Sequence, residues 1–248
     1  MSEIIAGRNA VLEALKSGRE IEKINIQKLE EGAHQSGAVK QIIAKAKEAK
    51  IPVYHSDKAF MDKLLDGAKV NSQGVIATAS DFAYCAVDDI LALAEERGEK
   101  PFIIILDGLE DPHNLGAVMR TAECAGAHGI IIPKRRSVSV NETVLKTSAG
   151  AAEHMLCARV TNICRTIDEL KNQGVWIYAC DMGDELIYDQ DMTGPLAIVI
   201  GSEGFGISRL VREKCDFVVS IPMKGQVNSL NASNAAAIIM YEVVKQRL

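Results

Sequence analysis

No run of apolar residues in this 248-residue chain reaches the roughly 18 that a membrane-crossing helix needs. Met1-Ser2-Glu3-Ile4-Ile5 does not lead into the basic and apolar regions of a secretion signal. No membrane role is expected, and a cytoplasmic location is. The six cysteines, Cys85, Cys124, Cys157, Cys164, Cys180 and Cys215, include no C-x-x-C pair. The tight, repeated spacing of structural zinc sites and disulfide frameworks is therefore missing. No metal is expected, and the thiols read as free and buried in a reducing compartment. An excess of positive charge is missing too: 28 Lys+Arg stand against 33 Asp+Glu, a net charge of −5. Nucleic-acid-binding domains usually leave a basic footprint. What basic character exists lies early, since residues 1 to 80 carry 12 Lys+Arg against 10 Asp+Glu, leaving 16 against 23 for the remainder. Any surface for a polyanion must be local.

With 48% hydrophobic residues the chain can bury a sizeable core, as one large domain or two small ones. In the first 80 residues, helical spacing over 7 to 17 and over Val39 to Lys50 alternates with strand patterns at Ile21 to Gln27 and Gly74 to Ala79. A compact α/β unit over residues 1–80 follows. Val87 to Glu96 reads as a helix stopped by Arg97-Gly98-Glu99-Lys100-Pro101, and residues 81–100 are expected to be a linker. Residues 101–248 then repeat strand and helix. Strands are expected at Phe102 to Leu106, Gly129 to Ile132, Leu156 to Val160, Val175 to Cys180, Leu196 to Ile200 and Phe217 to Ile221. Helices are expected at Leu115 to Gly126, near Glu142 to His154, Ile163 to Asn172, after Ser208, and Asn231 to Lys245. Phe102-Ile103-Ile104-Ile105-Leu106 is apolar on both faces, as in a parallel sheet covered by helices on both sides.

Three segments close such strands with glycine and asparagine. They are Asp107-Gly108-Leu109-Glu110-Asp111-Pro112-His113-Asn114-Leu115-Gly116 running on to Arg120, Gly201-Ser202-Glu203-Gly204-Phe205-Gly206, and Ile221-Pro222-Met223-Lys224-Gly225-Gln226-Val227-Asn228-Ser229-Leu230-Asn231. Ligands of parallel α/β sheets bind beyond the carboxyl ends of the strands, so three such loops can converge on one site. The second segment is not a nucleophile elbow, because G-x-S-x-G needs glycine where Ile200 stands. Nor do Gly201, Gly204 and Gly206 have the G-x-G-x-x-G intervals of a dinucleotide site.

In order and spacing the three segments resemble the motifs of the SpoU/TrmH branch of the SPOUT RNA 2′-O-methyltransferases, over about the last 150 residues. Gly7-Arg8-Asn9-Ala10-Val11-Leu12-Glu13-Ala14-Leu15 and the two-part layout resemble the bacterial members that methylate a guanosine in 23S ribosomal RNA. Related proteins often carry a histidine where this chain has Ser72, before Gln73-Gly74. The resemblance implies an α/β SPOUT domain with a deep trefoil knot, formed as the last helix and its preceding loop thread through an earlier loop. It also implies a preceding RNA-recognition domain of the ribosomal-protein L30e/L7Ae type, S-adenosyl-L-methionine as cofactor, and a homodimer with each active site near the subunit interface. A transfer-RNA methyltransferase with the same catalytic half, or a non-catalytic RNA-binding or ribosome-assembly protein of the same fold, stands as the alternative.

Taken alone, Asn114 reads as a helix cap and Arg120 as a solvated arginine. The resemblance instead puts Arg120 beside the attacking 2′-hydroxyl and has Asn114 hold the loop around it. A guanidinium, with its pKa above about 12, makes a poor base. Arg120 is expected to fix the target phosphate and to stabilise charge on the 2′-oxygen. Gly201, Ile221 and Leu230 match cofactor-contacting positions, and Met223 can join Ile221 and Leu230 in walling an adenine, although Ile221, Met223 and Leu230 alone read as ordinary core. Glu203, Ser229 and Asn231 are expected to organise cofactor and target nucleotide; alone, Asn231 reads as the cap of the final helix and Glu203 as a lysine partner. Lys134-Arg135-Arg136, with Lys146, Arg209 and Lys224, is a candidate contact for RNA phosphate. His113 reads as a turn histidine without a catalytic duty. The last helix is apolar nearly all round at Ala235, Ala236, Ala237, Ile238, Ile239, Met240, Val243 and Val244, which asks for cover on more than one side.

Overall fold

A computed structural model of the chain describes residues 3–17, 19, 21–28, 36–49, 51–65, 70–79 and 82–248, apart from the side chain at position 184. The chain divides into two compact units, Met1–Phe82 and Ala83–Leu248.

The first unit contains strands β1 (Glu3–Ala6), β2 (Ile21–Gln27), β3 (Val53–Ser56) and β4 (Val75–Ala79), with helices α1 (Arg8–Lys16), α2 (Gly37–Glu48) and α3 (Lys58–Leu64). The sheet order is β1-β4-β2-β3; β4 runs antiparallel to both neighbours and β3 parallel to β2. Central strand β4 is buried along its whole length and shares a core with Val11, Ile24, Ile26, Val39 and Ile42. Burial of this order contributes roughly 1.5–3 kcal/mol per large aliphatic side chain. Ser36 caps α2 and Asp57 caps α3, each side chain accepting a backbone N–H three residues on. The sequence patterns anticipate β2, β4 and both long helices. β1, β3 and α3 are additions.

The second unit is an α/β fold around a six-stranded parallel sheet. Its elements are α4 (Val87–Glu96), β5 (Phe102–Asp107), α5 (Pro112–Cys124), β6 (Gly129–Pro133), α6 (Glu142–Thr147), β7 (Leu156–Val160), α7 (Ile163–Asn172), β8 (Trp176–Leu186), β9 (Leu196–Gly201), α8 (Arg209–Lys214), β10 (Phe217–Ser220) and α9 (Ala232–Arg247). The strand order is β10-β8-β9-β5-β6-β7, every pair parallel. From β5 the chain winds outward through β6 and β7, then returns to lay β9 on the other side of β5. The order reverses between β5 and β9, the place where parallel sheets open a crevice beyond their carboxyl ends. Asp107 and Gly201 are paired across it.

The expected linker over 81–100 is corrected by this structure. Positions 80 and 81 lie outside the described residues, but from Tyr84 onward the segment is built into the second unit. The Cys85 N–H donates to the Cys157 carbonyl at 3.0 Å and the Val140 N–H to the Tyr84 hydroxyl at 2.8 Å. Ile90 of α4 is fully buried in the core with Ile103, Ile105 and Ile131. It packs so closely on β6 that a Cβ at Gly129 would lie 2.6 Å from it. The helix is part of the domain it was expected to tether. Among the described residues no helix is long and apolar enough to cross a membrane.

The cysteines are free, as the sequence predicts, but less uniformly buried: Cys157 is buried, Cys124 is exposed and the other four are intermediate. No described group of three or more His, Cys, Asp or Glu is placed to hold a metal ion.

Candidate active site

Strand β9 ends in a turn that glycine alone permits. A Cβ at Gly201 would lie 2.1 Å from the carbonyl carbon of Gly206 and 2.3 Å from the nitrogen of Ile207, far inside contact distance. The chain folds back because Ser202 and Gly206 exchange backbone hydrogen bonds of 3.0 and 2.9 Å, with Gly206 at a φ of 65°. The Ser208 N–H donates to the Asp107 carboxylate at 2.7 Å, tying the far end of this loop to the end of β5. Ile207 and Val211 are buried beneath it.

Helix α5 starts earlier than the sequence pattern suggests. Asp111 is its cap, accepting the His113 N–H, and Pro112 occupies the first turn, where a missing N–H costs nothing. Asn114 is therefore not the cap. It sits inside the first turn, only 6% exposed, and its side chain is free for another partner. Asn114 Nδ2 donates to Glu203 Oε1 at 2.8 Å, and Asn231 Nδ2 donates to Asn114 Oδ1 at 3.1 Å. Asn231 Nδ2 also donates to Glu203 Oε1. The other end of the Asn231 amide caps α9, its Oδ1 accepting the Ser233 N–H at 2.9 Å and the Asn234 N–H at 3.4 Å. Asn231 is thus both a cap and a junction. One residue from each of the three motifs meets at this joint, across sequence separations of 28, 89 and 117.

Beside the joint lies a cavity of about 600 Å³, within the usual range for small-molecule sites of roughly 300–1,000 Å³. Gly201, Ile221, Met223 and Leu230 line it, as do Glu203 and Ser229. Asn114 and Asn231 are not lining residues themselves, but both donate to Glu203, which is. Arg120 does not line it. That side chain is exposed on α5 and, among the described residues, has no hydrogen bond or ion pair.

The sequence reading missed the wall formed by Cys180, Asp181, Met182 and Gly183. These residues belong to β8, which is 11 residues long, well beyond the expected end at Cys180. Its pairing with β10 jumps from Ala179↔Val218 to Glu185↔Val219, so the intervening residues leave the ladder and turn towards the cavity. Asp181 is held there by its own neighbour's N–H at 2.8 Å and by Arg212 Nε at 3.4 Å. Among the described residues, Asp181 and Glu203 are the only charged side chains in the lining, with no Lys, Arg or His. Burial pushes the Cys180 thiol up to about 12, so it stays protonated at neutral pH.

The basic run after β6 is positioned by the loop after β5. The Ser137 hydroxyl and the Val138 N–H donate to the Leu109 carbonyl at 3.0 and 2.8 Å. Residues 134–138 thus stand along the same sheet edge as the first motif. His113 is exposed at the start of α5, its Nδ1 3.4 Å from the Thr147 hydroxyl.

Comparison with known proteins bears on both units. The SpoU rRNA Methylase family matches residues 101–241, and a domain family described as RNA 2′-O ribose methyltransferase substrate binding matches residues 4–85. The chain is 46% identical over 246 residues to the Bacillus subtilis protein YacO, named for the TrmH family of tRNA/rRNA methyltransferases; the match covers 99% of this chain and 96% of that protein. Among solved structures, the SpoU methyltransferase AviRb from Streptomyces viridochromogenes, in complex with AdoMet, superposes with a TM-score of 0.62 at 24% identity, covering 99% of this chain and 90% of that one. An RNA 2′-O ribose methyltransferase superposes with a TM-score of 0.55 at 27% identity, covering 99% and 89%.

Proposed function

The chain belongs to the SpoU/TrmH family of methyltransferases, and we propose that it uses S-adenosyl-L-methionine to methylate a ribose 2′-oxygen in structured RNA, a guanosine of 23S ribosomal RNA being the favoured target. The observation that carries this reading is the joint of Asn114, Glu203 and Asn231 at the edge of the 600 Å³ cavity. It locks three loops into one site, an arrangement that a scaffold protein has no need of. The runner-up target is a transfer RNA, handled by the same catalytic half. A non-catalytic RNA-binding or ribosome-assembly role fits less well, because all the motif residues are intact.

The cavity suits the proposed cofactor. S-adenosyl-L-methionine, when bound, supplies a methyl group carried on a positively charged sulfur. Among the described residues the lining has two carboxylates, Asp181 and Glu203, and no basic side chain, which complements that charge. Gly201 lets the backbone approach a ligand closely, while Ile221, Met223 and Leu230 offer apolar walls to an adenine. The protonated Cys180 thiol is a weak competitor for the methyl.

The cofactor would supply its methyl to the ribose 2′-oxygen and leave as the neutral thioether, the hydroxyl proton passing to solvent. Arg120 fixes the adjoining phosphate and stabilises negative charge growing on that oxygen. Asn114 and Asn231 hold Glu203, and with Ser229 they set the geometry of the loops around the acceptor. Lys134, Arg135, Arg136, Lys146, Arg209 and Lys224 supply contacts to the RNA backbone in a domain that is otherwise acidic.

Residues 1–80 serve as an L30e/L7Ae-like module that selects the RNA. The catalytic domain carries a trefoil knot, with α9 and its preceding loop threaded through an earlier loop. The enzyme works in the cytoplasm as a homodimer. α9 supports the last point, since Asn234, Ile238, Tyr241 and Lys245 form one exposed stripe with an apolar centre.

Mapping 2′-O-methyl positions in total RNA from cells with and without this protein tests the reading. Loss of one methyl from 23S ribosomal RNA is expected. Loss from a transfer RNA would select the runner-up, and an unchanged map would remove the enzymatic role. A fragment of residues 83–248 that methylated the same position as efficiently as the whole chain would take the targeting role from residues 1–80.

A further inference from the structure

We propose that Phe205 is a stacking platform for a nucleobase of the RNA strand that carries the target ribose. The inference rests on the RNA methyl-transfer reading above and adds to it a residue that holds the acceptor strand.

Phe205 is 98% exposed. Large apolar side chains at a surface are ordinary when scattered singly, so exposure alone decides nothing. Placement and rigidity do. The ring sits on the turn closed by the paired Ser202–Gly206 backbone bonds, braced on one side by the steric fit of Gly201 and on the other by the Ser208–Asp107 hydrogen bond. An aromatic ring is therefore presented to solvent by a backbone with little freedom to withdraw it. Two residues earlier in the same turn is Glu203, the centre of the three-motif joint, and both residues line the cavity.

The direction of approach follows from the chemistry. A 2′-oxygen that attacks a methyl held in the cavity must come into contact with that methyl in line with the breaking bond, so the nucleotide bearing it crosses the cavity mouth. Residues 203–206 are part of the cavity lining. A ribose exposed for such attack belongs to an unpaired or splayed nucleotide, whose base faces are then open to stacking on aromatic side chains. Arg209 begins the helix that follows the turn, with its side chain 82% exposed and Glu213 as its ion-pair partner at 3.1 Å. Ring and cation lie four residues apart, the combination that single-stranded nucleic acid uses: a face for the base and a charge for the phosphate. Phenylalanine has no hydrogen-bonding atom to read a base edge, so this contact adds grip without base identity.

The test compares the full-length protein with Phe205→Ala, Phe205→Leu and Phe205→Trp. The probe is a short unpaired RNA containing 2-aminopurine, whose fluorescence falls on stacking, and the kinetic substrate is the mapped natural RNA. The Ala and Leu variants should bind the probe about tenfold or more weakly, lose its quenching, and raise KM for the natural RNA by a similar factor. The Trp variant should restore both. Unchanged probe affinity in Phe205→Ala would overturn the proposal. So would full rescue by Leu, which keeps apolar bulk without a ring, or a drop in dimer content by sedimentation, which would make Phe205 an interface residue. If the wild type bound no S-adenosyl-L-methionine, the methyl-transfer reading would fail, while the quenching result would still decide the role of Phe205.

Discussion

Asn114 and Arg120 ride on one helix, six positions apart, in opposite surroundings. Asn114 is buried and held by partners from both other motifs; Arg120 is exposed and, among the described residues, unpartnered. Six helical positions turn a side chain by about 240°, so a residue committed to the inner joint and one six places on cannot share a face. The difference separates the site into two halves. The half that would hold the cofactor is assembled within a single chain: cavity, joint and turn are all in place. The half that would hold the acceptor has its arginine outside the cavity, where RNA or a second copy of the chain could complete it.

The largest expected effect breaks the assembled half. Gly201→Ala places a methyl group 2.1 Å from the backbone of Gly206, which neither strand β9 nor the paired turn can accommodate. Cofactor binding should fall below detection by calorimetry while the far-ultraviolet circular dichroism of the domain stays native. Measurable binding by a folded variant would show that the turn is not the rigid element described.

A smaller effect is expected on the other half. Ile238→Glu puts a carboxylate at the centre of the exposed stripe of α9, and in a two-fold interface the same charge enters twice. Leaving such charges buried without partners costs several kcal/mol, so sedimentation should show monomer at micromolar concentration, with turnover reduced about tenfold or more. A fully active monomer would assign both halves of the site to one chain.

The smallest effect concerns the frame beneath both halves. His128 is buried immediately before β6; its Nδ1 accepts the Phe102 N–H at 3.0 Å, so Nε2 carries the hydrogen and donates to Glu99 at 3.0 Å. Burial holds its pKa below the ordinary 6.5. The unfolded chain therefore takes up a proton before the folded one does. The stability due to neutral His128 is complete above pH 6.5 and is lost as pH falls from there through the folded value. Denaturant midpoints between about pH 7.5 and 5.5 should decline with acid, and His128→Gln should flatten the slope. An equal slope in the variant would assign the acid sensitivity to other groups.

Much of this frame is legible in the chain. β7 and α7 run between the residues that pattern alone predicts, and β5 and β9 differ by a single residue at one end, because apolar runs bounded by glycine, proline or caps leave little choice of limits. β1 and β3 were harder to see: each has four residues, and β3 is an edge strand with Tyr54 and His55 exposed, so neither shows a buried alternation. The extension of β8 depends on a register jump against β10, a tertiary event with no local pattern, and so Asp181 escaped notice. The start of α5 was readable from Asp111-Pro112, a cap followed by a first-turn proline, but the apolar spacing from Leu115 drew the helix too late and made Asn114 its cap. What no pattern supplies is the meeting of Asn114, Glu203 and Asn231, since the partners come together only when the sheet has formed.

The division of the site into two halves is tested most directly on Arg120→Ala, by titrating S-adenosyl-L-methionine into the variant and measuring methyl transfer to the mapped RNA with the same preparation. Because Arg120 stands outside the cavity, its affinity for the cofactor should match the wild type. Transfer should fall by a hundredfold or more, in line with a loss of ~3 kcal/mol when one donor to a developing oxyanion is removed. Cofactor affinity and turnover falling together, or turnover persisting near the wild-type rate, would contradict the account.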